Sequence, residues 1–328
     1  MGGKLVPELV ADSFNSSHKR KKKCDLRSSS TIWSMMLLVI SLLFWGSNVL
    51  AGNLHRIGMF AEEIQGGYYA YRMMRYEIIG QDGNSADITS RYSNAATIPG
   101  PTIIITEGDE VEIELMYQIH PDRENSKHNQ VSIHVHGVHY DKDSDGTLKY
   151  INLYKDESAT PVMSYTYRWH AALGTAGTWP YHDHNMDSHN GAEDRGLFGA
   201  LIVNPASAAM NNIKKEFVLY IVDDAFVGME TNNTTGQHTP LWVNPTLTTE
   251  KNSDVRFHVL ALGTNFHQFQ LNEYTWVDPG TVNQINTKAI GPLEKHVFVV
   301  NATHSSSYMD TAFSSVLLGM KGDFVVAH

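Results

Sequence analysis

Beyond residue 51 the chain is written in short β-type runs separated by turn residues, and this pattern constrains its fold more than any other feature. Ile103-Ile104-Ile105-Thr106 leads through Glu107-Gly108-Asp109 into the alternating Val111-Glu112-Ile113-Glu114-Leu115. Further runs cover 131–139, 164–170, 197–203, 216–222, 255–262, 266–271, 296–300 and 323–327, with Gly, Pro, Asn and Asp between them. Alternation with period two turns one face of a strand toward a core. Strands at this spacing predict β-sandwiches. Past the N-terminal region no segment sustains a 3.6-residue apolar period, so helices are not expected to build the core. A break at Asn204-Pro205-Ala206-Ser207-Ala208 divides the chain into 52–207 and 208–328. Each part suits one sandwich, so the expected fold class is all-β with two domains.

The first 51 residues have a different character. Residues 19–23 read Lys-Arg-Lys-Lys-Lys, an apolar run follows from Thr31 to Trp45, and Val49-Leu50-Ala51 has the form of a cleavage site. A basic flank, an apolar centre and a small-residue exit are the layout of an export signal. Two readings stay open: a signal cleaved after Ala51, or a membrane anchor retained through residues 31–50. Both place the rest of the chain outside the cytoplasm, in an extracellular or periplasmic space. Cys24, the single cysteine, lies in this region. Disulfide frameworks, thiolate zinc modules and iron–sulfur clusters are therefore excluded for the remainder. The formal net charge of −10 disfavours a general nucleic-acid-binding role.

Histidine is abundant, with 17 residues, and two pairs stand out: Ile133-His134-Val135-His136-Gly137 and Tyr181-His182-Asp183-His184. On a strand, residues i and i+2 share a face. His134 and His136 would project together, as would His182 and His184, and two such strands side by side would gather four imidazoles. An all-nitrogen set without thiolate suits Cu(II). Bare His-x-His pairs are weak motifs in a histidine-rich chain, and spacing alone leaves metal binding and ordinary surface histidines both open.

The flanking residues carry a resemblance. Pro99-Gly100-Pro101-Thr102 with Glu107-Gly108-Asp109, His134-x-His136-Gly137, Gly177-Thr178-Trp179 through His184, and Gly196-Leu197-Phe198-Gly199-Ala200 together resemble the first plastocyanin-like domain of multicopper oxidases. The run from His136 to Gly146 is similar to the ceruloplasmin and coagulation-factor branch. The segment 255–276 resembles part of a second cupredoxin domain. The resemblance implies two cupredoxin-like Greek-key β-sandwich domains. It implies copper held by His134, His136, His182 and His184, which match one half of a three-copper cluster. It also implies assembly as a homotrimer or hetero-oligomer, because two-domain members complete that cluster between subunits.

The chain departs from the family where its electrons enter. Asp183 stands where blue-copper domains place a cysteine, and an aspartate cannot supply thiolate donation. In the second domain His267 matches a blue-copper histidine, but Gln270 and Asn272 replace two cluster histidines and the final His-Cys-His is missing. Met320 matches an axial methionine, and without its cysteine it reads as a core residue. His139 and His189 are further ligand candidates. With Asp183 they are also the candidates for acid–base work. Asp141-x-Asp143-x-Asp145-Gly146 copies the start of a calcium loop, yet its twelfth position is Asn152 rather than Glu. The EF-hand reading is poor; a polar turn and a different calcium site, drawing also on Asp156 or Glu157, remain as readings.

Three functions compete. One is a copper-dependent oxidoreductase with a histidine-only site, acting on a small molecule and supplied by an external electron donor or a directly bound reductant. The second is a non-catalytic copper-binding or assembly protein. The third is a purely structural sandwich, disfavoured by the four first-domain histidines.

Overall fold

The computed structural model describes residues 52–118, 130–151, 163–185, 195–207 and 213–327. The N-terminal segment 1–51, His189, Asp156 and Glu157 lie outside the described residues. Leu50–His328 forms one compact unit.

The chain is all-β, with one short helix among the described residues. In the first part, β1 (Leu54–Ile64), β2 (Tyr68–Ile79), β3 (Ser85–Asp87), β5 (Glu110–Gln118) and β7 (Ser164–His170) make a sheet ordered β3-β2-β1-β5-β7. Facing it, β4 (Ile103–Thr106), β6 (His134–Val135), β8 (Gly177–His182) and β9 (Phe198–Asn204) are ordered β4-β9-β8-β6. The pairs β1–β5 and β4–β9 are parallel and the other ladders antiparallel. In the second part, β10 (Ile213–Ile221), β11 (Phe226–Asn232), β12 (Gln237–Leu241), β14 (Asp254–Ala261) and β19 (Lys295–Asn301) are ordered β12-β11-β10-β14-β19. Their partner sheet is β13-β21-β20-β15-β18, from Leu247–Glu250, Lys321–Ala327, Ser306–Asp310, His267–Leu271 and Thr287–Ile290. A small hairpin pairs β16 (Trp276–Val277) with β17 (Gln284–Ile285), and helix α1 is Phe313–Leu318. Among the described residues no ladder joins a strand before 205 to one after 212.

Side-chain alternation explains the layers. In β5, Val111, Ile113 and Leu115 are buried while Glu110, Glu112 and Glu114 stay at the surface. They join Ile57, Met59, Tyr167, Trp169 and Tyr181 in the first core. The second core is built on aromatics, with Phe257 stacked on Phe298 at 5.1 Å and Phe269 beside Tyr308. Strand β9 is buried on both faces. Leu201 and Val203 enter the first core, while Phe198, Ala200 and Ile202 pack on Val218, Tyr220 and Leu260. That third cluster holds the two sandwiches together. Beside it runs a buried polar seam. Thr178 Oγ1 and His258 Nδ1 are 2.6 Å apart, and His258 Nε2 lies 2.7 Å from Glu216, which also accepts from Arg256 and Asn233.

One expected strand is shorter than its sequence pattern. The run 131–139 pairs continuously only over β6, with isolated bridges at Val131–Ile151 and His139–His170. Gly137 turns the backbone at φ +72°, and a Cβ there would fall 1.9 Å from the Trp179 ring. The indole takes the space that a continuing strand residue would need.

Candidate metal centre

The edge pair β6–β8 assembles the imidazoles. His134 is register partner of His182, and the His136 amide donates to Pro180 O at 3.1 Å, extending the pairing by one residue. His136 Nε2 and His182 Nε2 face each other at 3.0 Å. The His134 ring centroid is 5.0 Å from His136, 5.6 Å from His182 and 5.2 Å from His184. His182 and His184 are 5.7 Å apart.

Protonation favours ligation. Burial pushes the His182 imidazole down to about 3 and His136 down to about 4, with the neighbouring rings adding to both. Burial also lowers His134, against the opposing charge of Asp145. These three rings are neutral at neutral pH and carry free lone pairs. In two of them the other nitrogen is tied: His134 Nδ1 lies 3.1 Å from Asp145 Oδ1, and His182 Nδ1 donates to Asp183 O at 2.8 Å. Such bonds leave Nε2 as the acceptor and fix the ring plane, as ligating histidines require. Among the described residues no three His, Cys, Asp or Glu side chains already surround one point at ligand distance. The His136–His182 pair is the tightest element. The donor set of four imidazoles fits copper, and closing it around an ion takes side-chain adjustment of His134 and His184.

The other candidates go elsewhere. Asp183 is buried on the opposite side of its strand from the imidazoles, where Oδ1 accepts from Ser132 N at 2.8 Å and Ser132 Oγ at 3.2 Å. Ser132 Oγ in turn accepts from His184 N at 3.1 Å. Asp183 thus clamps the two histidine segments together instead of facing a substrate. His139 is exposed and neighbours His170, whose Nδ1 lies 2.8 Å from Glu110. The three aspartates of the calcium expectation do not converge. Asp141 caps the 3-10 turn Lys142–Ser144, Asp143 pairs with Lys149 at 3.3 Å, and Asp145 serves Thr147 N and His134.

In the second sandwich His267 lies between two carboxylates, with Nδ1 2.6 Å from Asp310 and Nε2 3.3 Å from Asp223. Those carboxylates outweigh burial and raise its pKa, while Asp310 is lowered to about 2, helped by its hydrogen bonds to His267 and neighbouring donors. A charged lock occupies the place that resembled a blue-copper histidine. Met320 is a buried core residue. Asn272 donates to Ser307 Oγ at 2.7 Å.

Sequence reasoning missed two neighbours of the imidazoles. Asp145 was read only as a calcium ligand. The signal for its other role is Gly146, where a Cβ would fall 2.4 Å from the Ile133 carbonyl carbon, so the loop lies directly on the His134 strand. Lys295, from β19, has its ammonium 2.6 Å from the Trp179 ring centroid and acts electrostatically on His136. No local sequence signal marks it, because the two residues meet only through packing of the sandwiches.

Residues 86–208 match the multicopper oxidase family model, spanning both histidine pairs. The match covers less than half of the chain and includes the segments that carry all four imidazoles. The chain is 29% identical over 249 residues to a probable nitrite reductase–hydroxylamine oxidoreductase fusion protein of Kuenenia stuttgartiensis. That match covers 70% of this chain and 28% of the relative. It is 31% identical over 138 residues to the mouse ferroxidase HEPHL1, covering 37% of this chain and 11% of that protein. The chain therefore spans only a small part of either relative's length. Among solved structures, the copper nitrite reductase of Nitrosomonas europaea superposes with a TM-score of 0.55 at 16% identity, covering 84% of this chain and 94% of that one. This likeness shows the cupredoxin-like fold. At the family level, copper binding and oxidoreductase chemistry are supported.

Proposed function

We propose that this chain is a copper-dependent oxidoreductase whose copper is held by imidazoles alone, at His134, His136, His182 and His184, without a thiolate blue copper. The observation that carries the reading is the convergence of these four rings, with the neutral His136–His182 pair at 3.0 Å. Copper bound there supplies a one-electron redox centre and a Lewis acid. The chain's own residues present Nε2 lone pairs, orient the rings through Asp145 and Asp183 O, and hold the two histidine segments together through Ser132. Electrons come from an external donor or a directly bound reductant, since Asp183 and the His267–Asp310 lock occupy the positions that resembled a thiolate centre.

The small-molecule substrate is of the class handled by the relatives, whose names include nitrite reductase and ferroxidase. An export signal or anchor in residues 1–51 would place the protein outside the cytoplasm. A homotrimer or hetero-oligomer would provide further ligands from a neighbouring chain. No helix among the described residues is long and apolar enough to cross a membrane.

Metal counting with electron paramagnetic resonance on copper-loaded protein tests the reading. The expected result is copper uptake with no intense band near ~600 nm. His136→Ala and His182→Ala should each reduce copper content. Uptake below about 0.2 copper per chain would sink the proposal. Copper binding with no turnover of oxygen, nitrite or a reductant would leave the non-catalytic binding protein as the correct reading.

A further inference from the structure

The imidazole cluster has a cation beside it that belongs to the other sandwich. Lys295 opens β19, whose residues His296, Phe298 and Val300 turn into the second core or its margin. Alternation turns Lys295 the other way, toward β8 of the first sandwich. Its ammonium sits over the Trp179 ring. That ring is held by its own Nε1 donating to Thr175 O at 2.8 Å, and it presses against Gly137, the residue after His136. Trp179 is also three residues before His182 on β8. Lys295 thus meets the indole, and the indole meets the Gly137 turn that follows His136, so the ammonium lies within electrostatic reach of the His136 imidazole across the seam between the sandwiches.

Among the described residues no carboxylate forms a salt bridge with Lys295. The adjacent acid, Glu294, is engaged with Gly291 N at 2.7 Å. A half-buried ammonium without a counter-charge is costly, and an aromatic face compensates only part of that cost. A depression of about 250 Å³ borders Lys295, lined also by Lys288, Leu293, His296 and Glu294, whose carboxylate is engaged with the Gly291 amide. It offers room for a small ligand beside the uncompensated charge.

We propose that Lys295 is the anion-recognising residue of the imidazole site, drawing a small monovalent anion to the copper held by His134, His136, His182 and His184. The inference rests on the copper reading above. It narrows the substrate or exogenous ligand to a small anion. It also assigns the second sandwich, which lacks the family's copper motifs, a direct part in the chemistry of the first.

Azide is the probe. Copper-loaded full-length protein is titrated with azide, and binding is followed by its charge-transfer absorption and by the copper paramagnetic resonance spectrum. Copper content is counted in each sample. Lys295→Met should leave copper content unchanged and weaken azide binding by about 10-fold or more, as expected for loss of one nearby unit charge. Lys295→Arg should restore most of the affinity, and salt should weaken azide binding more in the wild type than in Lys295→Met. A purely structural role would not show this charge rescue or this salt dependence. If wild-type protein takes up no copper, the reading of the site fails and this inference falls with it. If copper is bound normally and Lys295→Met binds azide within about twofold of wild type, the inference alone is overturned. Loss of copper from Lys295→Met would also overturn it, by making Lys295 a residue of metal retention.

Discussion

At the scale of single residues, the telling side chains are those that orient others. Asp145 lies 3.1 Å from His134 Nδ1 and also accepts from Thr147 N at 2.9 Å, so its carboxylate is anchored while it holds the ring. Replacing it frees His134 to rotate. Asp145→Ala should lower copper affinity by about 10- to 100-fold, the usual effect of losing a partner behind a metal-ligating histidine. Chelator competition would measure this, and an unchanged affinity would show that His134 needs no such support. Asp183 acts differently. Its carboxylate ties Ser132, and Ser132 ties His184, so it sets the spacing between the two histidine segments. The histidine pairs were readable because i and i+2 share a strand face. Asp145 was not, since its role depends on how the 141–151 loop folds back over β6.

At the scale of elements, the short β6 and its turn matter most. The alternation in 131–139 suggested a longer strand, but Gly137 adopts φ +72° and yields its side-chain space to Trp179. Any larger residue meets both a backbone penalty and an aromatic ring. Gly137→Ala should destabilise the protein by about 2–4 kcal/mol, combining left-handed strain with overpacking. Chemical denaturation would detect it, and a loss below about 0.5 kcal/mol would mean that the indole moves aside freely. The long hairpin of β1 and β2 escaped the sequence reading. In β2 the buried positions run Tyr71, Met73, Tyr76, because the register shift opposite Gly58/Met59 leaves Met74 as an extra residue and breaks strict alternation. Helix α1 escaped it too, because six residues are too few for a helical period to stand out.

For the molecule as a whole, two cores joined by a third cluster and a buried polar seam make the first sandwich's site dependent on the second. The second sandwich carries its own electrostatic lock. His267 has a raised pKa, so its stabilising contribution is complete below its unfolded value of roughly 6.5 and is lost as pH rises through the higher folded value. Asp310 has the opposite sign. Its contribution is present above roughly 3.9 and is lost as pH falls toward its folded value of about 2. The lock is therefore strongest between those limits. His267→Ala should cost about 3 kcal/mol near pH 5.5, since it leaves Asp310 buried without its partner. The deficit should shrink as pH rises through the folded His267 value. Thermal unfolding of both forms across pH 5 to 10 would check this. A deficit independent of pH would mean that the contribution of His267 is packing and not charge.

The sequence by itself determined the all-β character, the two sandwich-sized parts and the paired histidines, because period-two alternation and i, i+2 spacing are local properties of a strand. It also showed that no thiolate is available after Cys24. Only the tertiary structure decided which side chains surround those histidines. Asp145 reaches His134 through a loop, Asp183 turns inward to Ser132, and Lys295 arrives from a strand more than a hundred residues away in sequence. The same is true of His267, whose carboxylate partners come from the turn after β10 (Asp223) and the end of β20 (Asp310). These contacts depend on long-range packing between sheets, which local pattern does not encode.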